Sequence, residues 1–182
     1  DGFNRVASLD ARLKLNDNWI TNMQVVGTDT EPVLGGDPTQ GYQRNIQINR
    51  VGRTVNTHSH FIETTDNFRT DLGFQNRFFK PDTSGIHNSL NLNFYPESPN
   101  INSWTAGLFD VYLNDTDGTR IYHQLGPNFE LNFATTTIGA RFTDYAEILR
   151  PKDFIGVISN TRYDYENWQI DFSNNTSPTA SI

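Results

Sequence analysis

Val6-Ala7-Ser8-Leu9-Asp10-Ala11-Arg12-Leu13-Lys14-Leu15 alternates without a break. Ala7, Leu9, Ala11, Leu13 and Leu15 share one parity, and Ser8, Asp10, Arg12 and Lys14 the other. Successive side chains of a strand point to opposite faces, so this stretch predicts a β-strand with one apolar and one charged face. A helix, with its period of about 3.6, would scatter the same residues around its circumference. Asn16-Asp17-Asn18 supplies turn chemistry, and Trp19, Thr21, Met23 and Val25 continue a weaker apolar face on the return.

The same pattern recurs along the chain. A polar loop is expected from Thr28 to Gln40, then a strand from Tyr42 to Arg50 with Ile46 and Ile48 on one face. Gly52-Arg53 marks a tight turn into a poorly alternating strand, Thr54 to Thr64. In the next, Ile86, Leu90, Leu92 and Phe94 alternate with His87, Ser89, Asn91 and Asn93. Further strands are expected over Ser103–Leu113, Thr119–Phe133, Thr135–Tyr145 and Arg162–Ser173, with Asp117-Gly118 as a hairpin turn. Irregular connections are expected near 66–83 and 150–160. No window keeps a helical apolar stripe.

Composition removes several function classes. Formal net charge is -7, so nucleic acid is excluded as a partner, because phosphate binding needs a basic surface. There are no cysteines, which removes disulfides, cysteine–zinc sites and thiol catalysis. No apolar run approaches the ~20 residues of a membrane-spanning helix. A barrel strand escapes that test, since its lipid-facing and lumen-facing residues alternate. No leader peptide is read at Asp1, as expected of a mature protein or an internal piece.

Alternation alone fits a soluble sandwich as well as a barrel. Three features favour the barrel. The expected strands run to ~9–13 residues, the length a tilted strand needs to cross a bilayer. Tight turns alternate with longer connections. Aromatics gather near strand ends, at Trp19, Tyr42, Phe94, Tyr95, Trp104, Phe133, Tyr163 and Tyr165, where an interfacial girdle would place them. The fold reading is therefore all-β: an antiparallel up-and-down transmembrane β-barrel of about nine strands, one unit over residues 1–182.

Val6 to Trp19 is similar to the start of a barrel segment in an outer-membrane family whose members carry an N-terminal domain, similar to family 9 carbohydrate-binding modules, ahead of a C-terminal β-barrel. Phe68-Arg-Thr-Asp-Leu-Gly-Phe-Gln-Asn-Arg77 resembles that family's most specific motif, Leu149-Arg-Pro-Lys-Asp-Phe154 a second one, and Asn167-Trp168 a late-strand aromatic. The resemblance covers most of the chain. It implies a Gram-negative outer-membrane location, with lipid, glycan and other outer-membrane or periplasmic proteins as partners. It implies no defined reaction. The carbohydrate-binding domain is missing, and Ser177 to Ile182 lacks the terminal aromatic of many such barrels, so the expectation is an incomplete barrel.

Candidate site residues each carry two readings. His58 and His60, two apart on a strand, could bind a transition metal or simply be polar residues of a lumen. Asp115 and Asp117, with Gly118, look like the start of a calcium loop, but Arg120-Ile121 stands where a distal acidic ligand is needed, which favours a plain hairpin. Metal is accordingly left out of the reading. Arg69, Asp71 and Arg77 in one irregular connection, and Arg150, Lys152 and Asp153 in the other, suit either an anionic or sugar ligand or a salt-bridge set that pins a loop. Asp10, Glu63 and Glu130 form no sequence pair of the kind glycosidases use, and Ser8, Ser59 and Ser103 lack a nucleophile elbow. Gly35-Gly36 is not a phosphate loop. No catalysis and no cofactor are therefore expected. The alternative is a soluble β-sandwich that stacks sugar on Trp104, Tyr122 and Trp168.

Overall fold

The computed structural model describes residues 2–32, 36–70 and 81–174. Among them are nine strands and no helix: β1 (Phe3–Lys14), β2 (Trp19–Glu31), β3 (Thr39–Arg50), β4 (Val55–Thr64), β5 (Thr83–Phe94), β6 (Ile101–Asp115), β7 (Arg120–Phe133), β8 (Thr136–Leu149) and β9 (Thr161–Asn174). They form one antiparallel sheet in which spatial order equals chain order. β1 and β9 are its two edges, and the sheet is open. The strands are 10 to 15 residues long, about twice the globular mode.

Several elements outrun their expected ends. Thr28 to Glu31 and Thr39-Gln40, expected in a loop, extend β2 and β3. Their Asp, Thr and Gln side chains look like loop residues, but each is held in cross-strand register, as in Asp29 opposite Gln40 and Thr30 opposite Thr39. β8 likewise reaches Leu149, because β9 pairs with it along its whole length.

The register aligns most of the large apolar residues on one face, while Ile62, Phe109, Val111, Leu113 and Tyr122 lie on the other. Leu9 lies opposite Val25, Met23 opposite Ile46, Ile46 opposite Phe61 and Phe61 opposite Ile86. Further on, Leu90 meets Leu108, Phe94 meets Trp104, Phe129 meets Ala140, and Ile138 meets Phe172. The other face carries Asn22 and Gln24, Asn45 and Gln47, His60, His87, Asn91, Asn128, Glu130 and Arg141.

The two faces are unequally exposed, and the polar one is the more sheltered. Along β3, Gln43, Asn45, Gln47 and Asn49 are half-buried, while Tyr42, Arg44, Ile46 and Ile48 are exposed. In β5, His87, Ser89, Asn91 and Asn93 are half-buried while Ile86, Leu90 and Phe94 are exposed. A flat single layer would expose both faces alike. Curling the sheet with its polar face inward gives this inequality. Side chains converge on that inner face: a Cβ at Gly107 would lie 2.4 Å from the amide oxygens of both Asn91 and Asn128.

The apolar band crosses the sheet at a slant. Cross-strand pairs link Ala11, mid-run in β1, through Met23, Ile46, Phe61, Ile86, Tyr112, His123 and Ala146 to Asp164 of β9. The apolar run of β9, Trp168 to Phe172, is centred at Ile170, six residues further along (164 to 170). Six residues of ~3.3 Å rise over eight ~4.8 Å inter-strand steps tilt the band by roughly 27° from the hydrogen-bond direction. On β3 and β4 the band's margin is polar. Glu63 accepts from Arg44 Nε at 3.0 Å and from the Tyr42 hydroxyl at 2.9 Å.

The two ends of the sheet differ. At one, the connections are residues 15–18, 51–54, 95–100 and 134–135; at the other, 32–38, 65–82, 116–119 and 150–160. A small apolar core sits on the inner face toward the longer connections, built from Val111, Leu113, Ile121 and Tyr122 with Phe109 packed against it.

Residues 65–70 fold back over the rim of β3, β2 and β1. Thr65 N–H donates to Tyr42 O at 3.0 Å, Arg69 N–H to the Thr28 hydroxyl at 3.3 Å, and the Asn4 amide to Arg69 O at 3.2 Å. Phe68 is buried there. Gly41 makes this possible, since a Cβ on it would lie 2.3 to 2.5 Å from Phe68 and Asn67 backbone atoms. Backbone cannot swing aside as a side chain can. Gly41→Ala is therefore expected to cost about 1–3 kcal/mol and to release Phe68. Denaturant unfolding and hydrogen exchange over 65–70 would read both, and unchanged protection there would refute the packing described.

Candidate functional site

Two side-chain clusters stand out among the described residues: a charged one in the long connections and a histidine one on the inner face.

The charged cluster centres on Arg150, immediately after β8 and 2% exposed. Its Nε lies 2.7 Å from Asp153 Oδ2, its Nη2 2.9 Å from Asp153 Oδ1 and its Nη1 2.7 Å from Asp115 Oδ2. The fork to Asp153 is bidentate, the geometry in which a guanidinium and a carboxylate bind most strongly. Lys152 pairs with Asp82 and reaches Asp115 at 3.4 Å. Thr116 donates its hydroxyl to Asp82. Asp82 holds a left-handed backbone, φ 61°, which an Asp tolerates better than most residues. The 150–160 connection, the end of β6 and the entry to β5 are thereby tied together. Burial alone would lower the Arg150 pKa, but the bonds from Asp153 and Asp115 outweigh it and raise it. Burial is likewise the largest single influence on Lys152 and lowers its pKa, but the Asp82 bond together with the charges of Asp115 and Asp82 gives a net raise.

The sequence placed Arg150, Lys152 and Asp153 together, and the structure adds Asp82 and Asp115. Asp115 thus faces a guanidinium and an ammonium, an unsuitable setting for a calcium ligand. The Asp117 carboxylate accepts from Thr119 N–H at 2.7 Å, closing a turn in which Gly118 has φ 86°. This is hairpin chemistry. Arg69 lies in the rim segment described above. Asp71 and Arg77 lie outside the described residues.

The sugar-stacking trio does not assemble. Tyr122 is buried on the inner face, its hydroxyl donating to Gln124 Oε1 at 2.9 Å. Trp104 and Trp168 lie on the opposite, apolar face, and β7 and β8 separate their strands. Each joins other rings instead: Phe94 stacks on Trp104 at 3.8 Å between centroids, and Phe142 meets Trp168 at 4.6 Å.

The histidine cluster was half visible in the sequence. His58 and His60 share the inner face of β4, and His60 lies directly opposite His87 of β5. Ring centroids are 4.9 Å apart for His58 and His87, and 5.9 Å for His58 and His60. His58 Nδ1 lies 2.6 Å from Asn49 Oδ1, and His87 packs edge-on against Phe109 at 4.9 Å. His87 was missed as a partner because parity gives its face while only register gives its neighbour. The Gly52-Arg53 turn fixes β4 against β3, but the long 65–82 connection carries no comparable clue for β4 against β5.

The chain matches no protein-family model, no curated protein and no solved structure. The fold defines its class: an open, antiparallel up-and-down β-sheet protein whose polar face is the more sheltered.

Proposed function

We propose that this chain is a segment of a transmembrane β-barrel of the Gram-negative outer membrane, with a structural or transport role and a polar lumen. One observation carries the reading. On the interior strands the apolar face is the more exposed one: Ile46 is 39%, Leu90 40% and Phe129 45% exposed, while Asn45, Gln47, Ser89 and Asn91 of the other face are half-buried. Water favours the reverse arrangement, and contiguous exposed apolar surface on this scale marks a contact with lipid or protein. Lipid fits best, because the band slants across the strands as tilted strands meeting a planar bilayer require. Short turns at one end and longer connections at the other fit the same architecture.

In hydrocarbon the unpaired backbone of β1 and β9 is untenable, so closure needs further strands between them. Bacterial barrels have even strand numbers, so at least one strand joins these nine. The inner amides, and Arg141 and Glu130 among them, suit a hydrated path for polar solutes, including glycans. Binding through a sugar platform of Trp104, Tyr122 and Trp168 is disfavoured, since the rings lie on two faces.

The test is depth-dependent quenching. In liposomes with brominated acyl chains, variants retaining only Trp104 or only Trp168 should lose most of their fluorescence. A chain that folds as a monomer in buffer without detergent, with both tryptophans unquenched by lipid, would overturn the reading.

A further inference from the structure

We propose that His58, His60 and His87 form a binding site for a divalent transition metal of the zinc class. One potential ligand atom from each ring lies within 4.8 Å of the others. Ligands on a tetrahedral zinc at ~2.05 Å stand ~3.3 Å apart. Small side-chain rotations close that difference, and the backbone of two paired strands can stay still.

The chemistry selects the ion. Three imidazoles and no carboxylate suit zinc, nickel or copper, whereas calcium and magnesium need oxygen ligands. A carbonyl oxygen at Asn49 beside His58 Nδ1 is the usual outer partner of a metal-bound histidine. It accepts the Nδ1 proton and leaves Nε2 with a free lone pair for the metal. The edge of Phe109 fixes the plane of His87 in the same way. Three protein ligands leave a fourth position for water or an incoming ligand, as in exchangeable zinc sites. The sequence contains four histidines, and three of them converge here. The fourth, His123, lies on the apolar face, stacked on Tyr112 at 4.8 Å, and serves as an internal control.

The site depends on the β4–β5 register and not on what meets the apolar face, so it stands or falls independently of the membrane reading. Zinc chloride titrated calorimetrically into the folded full chain should show one saturable site. His87→Gln and His60→Asn should each weaken it at least thirtyfold, and Asn49→Ala about tenfold. His123→Gln should leave it within threefold, and excess calcium or magnesium should not compete. A readout without variants covers the case of poor folding: cobalt(II) added to the unaltered chain should give the intense visible bands of a low-coordinate site, bleached by zinc. No saturable zinc site, no such bands, or binding lost in His123→Gln but kept in His87→Gln would each overturn the assignment.

Discussion

Arg150→Met is expected to destabilise the folded chain by about 3–5 kcal/mol, the usual cost of removing one partner from a buried ion pair. The side chain is 3% exposed, and its loss takes the guanidinium from Asp115 and Asp153, whose side chains are 15% and 8% exposed. Two carboxylates facing each other without the guanidinium repel, and water reaches them poorly. Removing the charges together should be far milder. The triple variant Arg150→Met, Asp115→Leu, Asp153→Leu is expected to recover much of the loss, because apolar replacement of a whole buried ionic set is often neutral. Arg150→Lys should recover little, since an ammonium cannot make the bidentate fork to Asp153 while reaching Asp115. Urea midpoints rank the variants, and proteolysis within 150–160 reports release of the loop. Equal midpoints for Arg150→Met and the parent would refute the anchoring role. The pH arm has a defined sign. Lys152 has a raised pKa, so its contribution is complete below the ordinary lysine value of ~10.4 and is lost only as pH rises through the higher folded value. Loop release should therefore begin above that range, with no step near neutrality.

The contrast between these residues and the histidines shows what the sequence could convey. Arg150, Lys152 and Asp153 are neighbours in the chain, so a local reading finds them, whereas Asp82 joins from 70 residues away. Strand existence and face were legible because alternation is a one-dimensional signal. Leu9 and Leu13 betray their face without any partner. Strand ends were less legible. Asp29 and Gln40 have loop chemistry but are held in the ladder by their neighbours. Register is the least local property of all. Tyr122 and Trp104 lie on neighbouring strands, β7 and β6, and only the pairing of Leu113 with Tyr122 and of Trp104 with Leu131 shows that they face opposite ways. Alternation is identical whether the apolar face turns inward or outward, so the outward expectation rested on strand length, connection pattern and aromatic placement. Exposure bears on that choice directly, and it needs three dimensions.

The exposed apolar face yields the second large effect. Phe129→Arg and Ala140→Arg, a facing pair within the apolar band, should each cost about 2–4 kcal/mol of folding stability in lipid bilayers. The guanidinium would have to leave water for hydrocarbon at mid-strand, and snorkelling from the middle of the band recovers only part of the loss. Asn128→Arg and Gly139→Arg move the same charge one residue along each strand, onto the inner face. There Gly139→Arg faces Glu130 and should cost about 0–1 kcal/mol, while Asn128→Arg faces Arg141 and should cost more than that but less than Phe129→Arg. Comparing adjacent residues cancels strand propensity and backbone effects, leaving the medium on each side as the main variable. Depth supplies a second axis. Ile46→Arg, one step along the same face from the Arg44–Glu63 pair that edges the band on β3 and β4, should be milder than Phe129→Arg. Reversible unfolding from vesicles measures all five. A soluble sheet with its apolar face packed on a protein layer would be hurt on that face too, but equally in buffer and with no gradient along the strand. The gradient, together with its disappearance when vesicles are replaced by urea-free buffer, distinguishes lipid from a protein partner as what covers the exposed face.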